Sequence, residues 1–248
     1  MIAVGLSPAL PLASVLDSFS GAIEFIFQQR EAELGGIQVG GLGQVWDLTW
    51  RHIEISALAL AAALVLALPI GVALGHRGKG ELLAVAIGNA GRAIPELALI
   101  AFMVAFVGVG LVNLTIALMV LGIPPILTNT FVGIRQVDRG AVEAARGMGM
   151  TGGEIVRKVE LPLAAPTIMT GVRTAAINIV ATATLGPLVG QLTLGDFIIN
   201  RNVYGDEGVL AGAILVALLA LAVELALAVV QRLLTPRGVA LQRAGVGA

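Results

Sequence analysis

Two charged residues, Arg173 and Glu224, stand inside long apolar stretches of this 248-residue chain. Arg173 lies seven residues after Pro166, and Glu224 lies eight residues before Arg232, so that both side chains are expected at a similar depth. A charge in apolar surroundings is costly and generally either pairs with an opposite charge or serves a function. We predict that the two form an ion pair that holds two helices together. Proton coupling through Glu224 is the alternative.

Other kinds of chemistry are excluded by what the chain does not contain. It has no cysteine and only two histidines, His52 and His76, which excludes disulfides, thiolate sites and a histidine-based metal cluster. The net charge of −1 argues against a nucleic-acid partner. The sequence has no phosphate-binding loop of the GxxxxGK[ST] type, so that any ATP and Mg²⁺ must be bound by another subunit. We expect neither catalytic residues nor a metal or cofactor site in this chain.

The composition is that of an all-α integral membrane protein. Hydrophobic residues make up 57%, charged residues 12%, and the mean hydropathy is +0.95, whereas soluble domains are about a quarter charged. About 20 apolar residues cross a bilayer. An interfacial segment is predicted at 81–92, and residues 9–27 are a possible sixth span. The five predicted spans are 53–75, 94–112, 111–134, 166–190 and 209–230. The organisation predicted is an extracytoplasmic or interfacial segment (1–50), a transmembrane domain (51–235) and a cytoplasmic tail (236–248).

A row of polar residues lies in the fourth predicted span. Thr174, Asn178 and Thr182 are spaced by four and are expected on one helix face. They could form a polar wall of a solute pathway. Hydrogen bonding between helices is an equally good explanation.

The third predicted span contains Pro124, Pro125 and Asn129. A double proline should kink or break the helix there and free backbone carbonyl groups, which could line a cavity. Simple kinking is the competing interpretation.

A polar insert of 28 residues, 135–162, separates the third and fourth predicted spans. Residues 141–148 favour a helix, and Gly147 and Gly149 favour its end. Thr151 and Glu154 have capping-box spacing, which predicts a second helix that Pro162 should end. Two short helices at a glycine corner would present a folded surface outside the membrane.

The distribution of basic residues predicts the orientation. With the amino terminus outside, ten basic residues lie on the cytoplasmic side and three on the outer side. Trp46 and Trp50, one helical turn apart, suit an outer aromatic belt. The insert 135–162 is therefore expected to face the cytoplasm.

The insert resembles a known motif. Glu143-Ala144-Ala145, then Gly149, then the stretch Val159-Glu160-Leu161-Pro162 resemble the EAA loop of ABC importer permeases, with Val159 where the family pattern has Ile. The stretch GMGMTGGEIVRKVELPLAAPTIMTGVRTA at 147–175 and Ile-Pro-Pro-Ile-Leu at 123–127 are similar to the osmoprotectant permeases of that family. The run after the fourth span, 190–195, departs from many relatives.

The resemblance implies a type I importer membrane subunit with a cytoplasmic coupling helix that sits in a groove of an ATPase subunit. Carried over, Glu143 would meet a basic residue of the ATPase, Ala144 and Ala145 would allow close approach, and Gly149 would make the corner. Val159, Leu161 and Pro162 would complete the motif.

The implied location is the bacterial inner membrane, and the implied cargo is a small quaternary amine such as glycine betaine, choline or carnitine. Aromatic cages usually hold such cations, but the ten aromatic residues form no cluster within the predicted spans. Selectivity is therefore expected in a separate extracytoplasmic binding protein. Since five spans enclose little of a pathway, a second permease chain, identical or related, is also expected. An ion-coupled secondary transporter and a non-transporting membrane scaffold are the alternatives.

Overall fold

The computed structural model describes residues 12–235, so that the predicted tail 236–248 and residues 1–11 lie outside the described part. The chain is mostly helical, as predicted, with one small β-hairpin. Its elements in order are α1 (Leu12–Phe27), β1 (Gln29–Glu31), β2 (Gln38–Gly40), α2 (Gly41–Arg77), α3 (Glu81–Ala93), α4 (Glu96–Val107), α5 (Leu111–Arg135), α6 (Arg139–Gly147), α7 (Gly152–Ile155), a π-turn (Val156–Glu160), α8 (Leu161–Thr182), a 3₁₀ segment (Ala183–Val189), α9 (Gly195–Ile199) and α10 (Arg201–Leu234).

Within residues 12–235, four helices are long and apolar enough to cross a membrane: Gly41–Arg77, Leu111–Arg135, Gly152–Val189 and Arg201–Leu234. The predicted second span, 94–112, is instead the short helix α4. Its 12 residues reach about 18 Å, short of the roughly 30 Å hydrocarbon core. Gly108 and Gly110, both with positive φ, end α4 and precede α5, where a residue with a β-carbon would be strained.

Of the two outcomes predicted at the double proline, a kink or a break, the break is wrong, and the kink stays a prediction. Helix α5 continues from Leu111 to Arg135 through Pro124 and Pro125. Neighbouring helices enclose this region, and Pro124 is buried. The facing residue on α3 is Gly91, where an added β-carbon would come within 2.2 Å of the Pro124 ring. The missing side chain leaves room for the proline ring between α5 and α3.

The predicted helix end at Pro162 is also wrong. The capping box at Thr151 and Glu154 starts α7 as predicted, but the chain then passes through the π-turn into α8 without interruption. The N–H of Leu161 donates to the carbonyl of Val156, five residues back. Pro162 follows the π-turn directly, as the second residue of α8, and the helix continues past it.

The amino-terminal region packs on the start of α10. Helix α1 has 16 residues and lies against α10 and α2. Phe25, Phe197 and Tyr204 form a cluster of edge-to-face rings with centroids 4.9–6.2 Å apart. Arg30 contacts Glu207 and donates to the Tyr204 carbonyl at 2.7 Å. Since α2 begins at Gly41, the helical bundle starts ten residues before the predicted boundary at 51.

Helix α5 is central, and its tightest partner is α2. The buried face of α2 that meets α5 carries small residues at every fourth position: Ala59, Ala63, Ala67, Gly71 and Gly75. A β-carbon at Gly71 would lie 2.7 Å from the Thr130 β-carbon, and one at Gly75 would lie 2.7 Å from that of Ile134. Small residues at such spacing let two membrane helices approach closely.

We expect Gly71→Ala to destabilise the protein by about 1–3 kcal/mol, because the new methyl group overpacks the contact with Thr130. The measurement is the thermal or denaturant midpoint of the purified chain in detergent. Gly43→Ala is the matched control: it lies in the same helix, has nothing within 4 Å of an added β-carbon, and should gain slightly in helix propensity. Equal midpoints for both variants would contradict a tight α2–α5 contact.

Candidate functional site

Helix α6 forms an exposed knob with defined ends. The Asp138 side chain accepts a hydrogen bond from the Gly140 N–H at 2.9 Å and so caps the start of α6. At the other end Gly149 has a φ of +83°, and the Met150 N–H donates to the Ala145 carbonyl at 3.2 Å. This is a Schellman-type end, in which glycine supplies the left-handed residue. The predicted helix and its glycine corner are confirmed.

The following turn is fixed by the capping box. The Thr151 N–H donates to the Glu154 carboxylate at 3.0 Å, and the Glu154 N–H donates to the Thr151 hydroxyl at 3.4 Å. The bond from the Thr151 backbone, with Lys158 nearby, lowers the pKa of Glu154 to about 2. Because this pKa is depressed, the contribution of the cap to stability is present above the ordinary carboxyl pKa and is lost as the pH falls towards 2. The cap is therefore intact at physiological pH.

The two faces of α6 have different environments. Val142 and Ala145 are buried and pack, with Ile155, against side chains of α5 and α8. Glu143 and Ala144 are exposed. Ala145, which the resemblance implied would allow close approach of the ATPase, thus lies three residues after Val142 on the inner face of the helix, and Ala144 is the exposed alanine of the two.

Other parts of the motif also point inwards. Val159 and Leu161 are half-buried against the same apolar cluster, and Pro162 is half-buried in the first turn of α8. The exposed part of the knob consists of Glu143, Ala144, Arg146, Gly147, Met148 and Gly149. We call this set the α6 surface. It is a rigid surface carried on a buried support.

Sequence reasoning missed a buried contact beneath the knob. Glu160 is only 3% exposed, and its carboxylate lies 2.7 Å from Nδ1 of His76 at the end of α2. His76 packs beside Gly152, where an added β-carbon would lie 3.3 Å from the His76 ring. This hydrogen bond ties the insert to α2. The sequence feature that could have indicated burial of Glu160 is its position between two apolar residues, in Val159-Glu160-Leu161.

A second candidate site is a cavity of about 470 Å³ between α3, α4, α5 and α8. We call it the central cavity. Its walls bring together four of the predicted pathway residues, namely Pro124, Asn129, Thr174 and Asn178. Thr128, Thr170 and Glu96, which sequence reasoning did not select, line it as well. The cavity is thus polar on several sides.

Several of these polar groups already have backbone partners. The Thr174 hydroxyl donates to the Thr170 carbonyl at 3.0 Å, and the Asn129 side-chain amide donates to the Pro125 carbonyl at 2.8 Å. Their hydroxyl and carbonyl oxygens keep further lone pairs for a solute or water. Asn178 is exposed, and its side chain has no hydrogen-bond partner within residues 12–235. Asn178 is therefore the polar group most open to a solute.

Thr182 does not line the central cavity with Thr174 and Asn178. Its side chain is 2% exposed, at the last residue of α8. Steps of four residues advance about 400° around a helix, so that two steps rotate a side chain by about 80° away from the first. This drift carries Thr182 from the cavity into the bundle.

The structure brings Arg173 and Glu224 into contact across α8 and α10. The Arg173 guanidinium also donates to the Gln231 side-chain oxygen at 2.6 Å, and Gln231 donates to the Pro166 carbonyl at 2.8 Å. The two charged side chains are 30% and 26% exposed. Gln231 was not selected from the sequence, yet it fastens α10 to the first part of α8.

The chain offers no metal site within residues 12–235, where no group of three or more potential ligands comes together.

We expect either Arg173→Glu or Glu224→Arg to lower the amount of folded protein in the membrane, because each leaves two like charges in apolar surroundings. Each single substitution should lower the free energy of unfolding by about 2–3 kcal/mol. This is at or below the low end of the loss for a fully buried ion pair, because both side chains are partly exposed. The double swap should restore the level, measured by quantitative immunoblot and fluorescence-detected size exclusion.

The exposed pair Arg201–Asp206, 69% and 72% exposed, is the matched control. Asp206→Arg should leave the protein level unchanged, since exposed ion pairs contribute little. Failure of the double swap to rescue either single variant would argue against the Arg173–Glu224 contact as the bond between α8 and α10.

Comparison with known proteins gives the family. The profile described as binding-protein-dependent transport system inner membrane component matches residues 63–237. The choline transport system permease protein OpuBB of Bacillus subtilis (strain 168) is 42% identical over 82% of this chain and 93% of its own length. The glycine betaine/carnitine/choline transport system permease protein OpuCB of the same strain is 39% identical over the same shares. The carnitine transport permease protein OpuCB of Listeria monocytogenes is 39% identical over 79% of this chain and 91% of its own.

Solved structures agree with this assignment. An inward-facing form of the MetNI methionine ABC transporter has a chain that superimposes with a TM-score of 0.68 at 26% identity, over 79% of this chain and 98% of that chain. The helical arrangement is therefore that of a type I importer permease. Together with the profile match over 63–237, these relatives show that the chain belongs to the family of binding-protein-dependent transport system inner membrane components, the permease subunits of ABC importers.

Proposed function

We propose that this chain is the membrane-spanning subunit of an ATP-driven importer of small quaternary amines, and that a separate ATPase subunit docks on the α6 surface. The observation that carries the proposal is the construction of α6. Its outer face is exposed and carries Glu143, whereas its inner face is buried in the bundle. A surface built in this way can take up force from a partner without deforming, because packed interiors have low compressibility.

The docking chemistry follows from the exposed residues. Ala144 and Gly149 offer little side-chain bulk, so that a partner helix or groove can approach the backbone closely. Glu143 supplies a negative charge on the rim, which fixes register and partner choice more than it adds affinity. Closure of an ATPase dimer would then push on α6, and the buried support of Val142, Ala145 and Ile155 passes the motion to α5 and α8.

The central cavity is the proposed route of the cargo. Its polar groups lie on α4, α5 and α8, and the exposed residues Thr174 and Asn178 lie on α8, which is continuous with the insert. One chain supplies only part of a pathway, so a second permease chain, identical or related, completes it. An extracytoplasmic binding protein delivers the cargo.

The cargo class is supported by the relatives. The names of three relatives at 39–42% identity specify choline, glycine betaine or carnitine transport. All three compounds carry a quaternary ammonium group and no reactive centre. ATP and Mg²⁺ belong to the partner ATPase. This subunit is a transport component and not an enzyme.

We expect Glu143→Ala and Gly149→Val each to lower ATP-driven uptake of radiolabelled glycine betaine or choline by about tenfold or more, with normal membrane insertion. The first removes the rim charge. The second places a β-branched residue at a positive φ, which costs about 1–2 kcal/mol and distorts the corner. Uptake by cells that express the complete transporter is the measurement, together with co-purification of the ATPase.

Two matched controls accompany these variants. Gly149→Asn should retain uptake, because asparagine tolerates the left-handed region and nothing lies within 4 Å of an added β-carbon there. Glu24→Ala removes an exposed carboxylate on α1, away from the insert, and should be silent. Normal uptake by both Glu143→Ala and Gly149→Val would refute docking at α6. Uptake that follows an ion gradient without ATP would instead indicate a secondary carrier.

The proposed orientation places α6 in the cytoplasm and the amino-terminal hairpin outside. The chain has no cysteine, so that any labelling by a thiol reagent comes from the single cysteine that is introduced. We expect Leu34→Cys, at a residue 74% exposed, to react with a membrane-impermeant maleimide in intact cells. Met148→Cys, at a residue 72% exposed, should react only after permeabilisation. The reverse pattern would invert the topology and exclude an ATPase contact at α6.

A further inference from the structure

A second, larger cavity of about 850 Å³ lies at the end of α2 remote from the insert. His76, near the other end of α2, contacts the insert. Trp46 is 30 residues away, which is about 45 Å along the helix and more than the roughly 30 Å hydrocarbon core. One wall of this α2 cavity is a stripe of α2 side chains, and the opposite wall is Leu111 with the loop 190–192. The α2 cavity therefore opens on the opposite side of the membrane from α6.

The aromatic part of the stripe consists of Trp46 and Trp50, the two tryptophans of the chain. Their rings are stacked, with centroids 6.5 Å apart and an angle of 18° between the planes. They are 67% and 58% exposed. The face of a tryptophan ring attracts cations more strongly than any other side-chain ring, and quaternary ammonium ligands are recognised in this way. Both rings line the α2 cavity and are more than half exposed, so that they offer aromatic surface to a cation there.

The acidic part of the stripe consists of Asp47 and Glu54. Glu54 is already paired with Arg51 at 3.1 Å. Asp47 has no basic partner within residues 12–235 and is exposed. Positions three and four apart on a helix have β-carbons about 5–6 Å apart, so that Asp47 stands beside Trp50, and Trp50 stands above Trp46. A cation over the Trp50 ring would lie next to a carboxylate that forms no ion pair within residues 12–235, because the guanidinium of Arg51, four residues from Asp47, is held by Glu54.

Anchoring in the interfacial belt accounts for only part of this arrangement. Tryptophans at the membrane boundary are common in membrane proteins, and that role needs neither a free carboxylate nor a concave wall. Asp47 is unsuited to contact with acyl chains, since a charge there would be desolvated without a partner. An open cavity with aromatic faces and one free negative charge suits a small soluble cation.

On the basis of the proposed function, we infer that the α2 cavity is a low-affinity capture site for the quaternary ammonium group of the cargo at the outer mouth of the permease. Trp46 and Trp50 bind the trimethylammonium group through their ring faces, and Asp47 supplies the counter-charge. The site is open on one side, so that the cation is held briefly and released.

Because Trp46 and Trp50 are the two tryptophans of the chain, tryptophan fluorescence reports this site directly. The experiment titrates the full-length chain with choline chloride in nanodiscs of phosphatidylethanolamine and phosphatidylglycerol, which carry no choline headgroup. Sodium chloride at equal concentration is the reference. We expect a saturable change with choline beyond the salt response. An unsaturable response, equal in both salts, would overturn the proposal.

Variants at Asp47 identify the binding group. Asp47→Asn should weaken choline binding about tenfold, and Asp47→Lys should abolish the saturable change. Glu24→Gln, an exposed carboxylate on α1, is the matched control and should bind like the wild type. Unchanged binding by Asp47→Lys, with a wild-type elution profile, would contradict the assignment.

Two further comparisons separate this inference from the function on which it rests. If ATP-driven uptake is normal but the isolated chain shows no saturable response, the capture site is refuted and the importer stands. If uptake does not depend on ATP, the importer fails, whatever the fluorescence shows. A response that is present in the isolated chain but lost in the assembled transporter would show that another subunit covers the stripe, which would also overturn the capture role.

Discussion

The structure depends on the close approach of α2 and α5. No side chain larger than alanine occupies the α2 face from Ala59 to Gly75, and the glycines at 71 and 75 leave no room for a β-carbon against Thr130 and Ile134. In a membrane, apolar side chains gain little by leaving lipid, so that van der Waals contact at short range has to hold helices together. This contact positions α5, and α3, α4 and α8 in turn pack against α5.

The contact with α5 also determines where the insert lies. Helix α2 ends one residue after His76, whose ring holds Glu160 at 2.7 Å. The insert is therefore fixed to α2 by a hydrogen bond and to α5 and α8 by the buried face of α6. Side chains of α2, α5 and α8 thus meet beneath the surface that we propose for the ATPase. A push on the α6 surface is therefore expected to move the attached helices with it and not to shift the surface relative to the bundle.

The sequence predicted local features better than spatial ones. The capping box at Thr151 and the glycine corner at Gly149 were predictable because each depends on residues within one or two turns. The continuity of α5 through Pro124 was not, because it depends on Gly91 in another helix. The burial of Ala145 was not predictable either, since a motif gives residue types but not which side of a short helix is buried. The contact of His76 with Glu160 joins residues 84 positions apart, which no spacing rule detects.

The π-turn at Val156–Glu160 has a mechanical consequence. Because the chain does not break at Pro162, the segment from Gly152 to Val189 is one rod of 38 residues that begins outside the membrane and ends across it. Asn178 lies 18 residues beyond the turn, about 27 Å along the axis. A tilt of about 5° pivoting at the turn would displace Asn178 by roughly 2 Å, which is comparable with the radius of a water molecule. An angular change of this size would therefore alter the width of the central cavity at Asn178 by about the dimension that decides whether a water molecule fits.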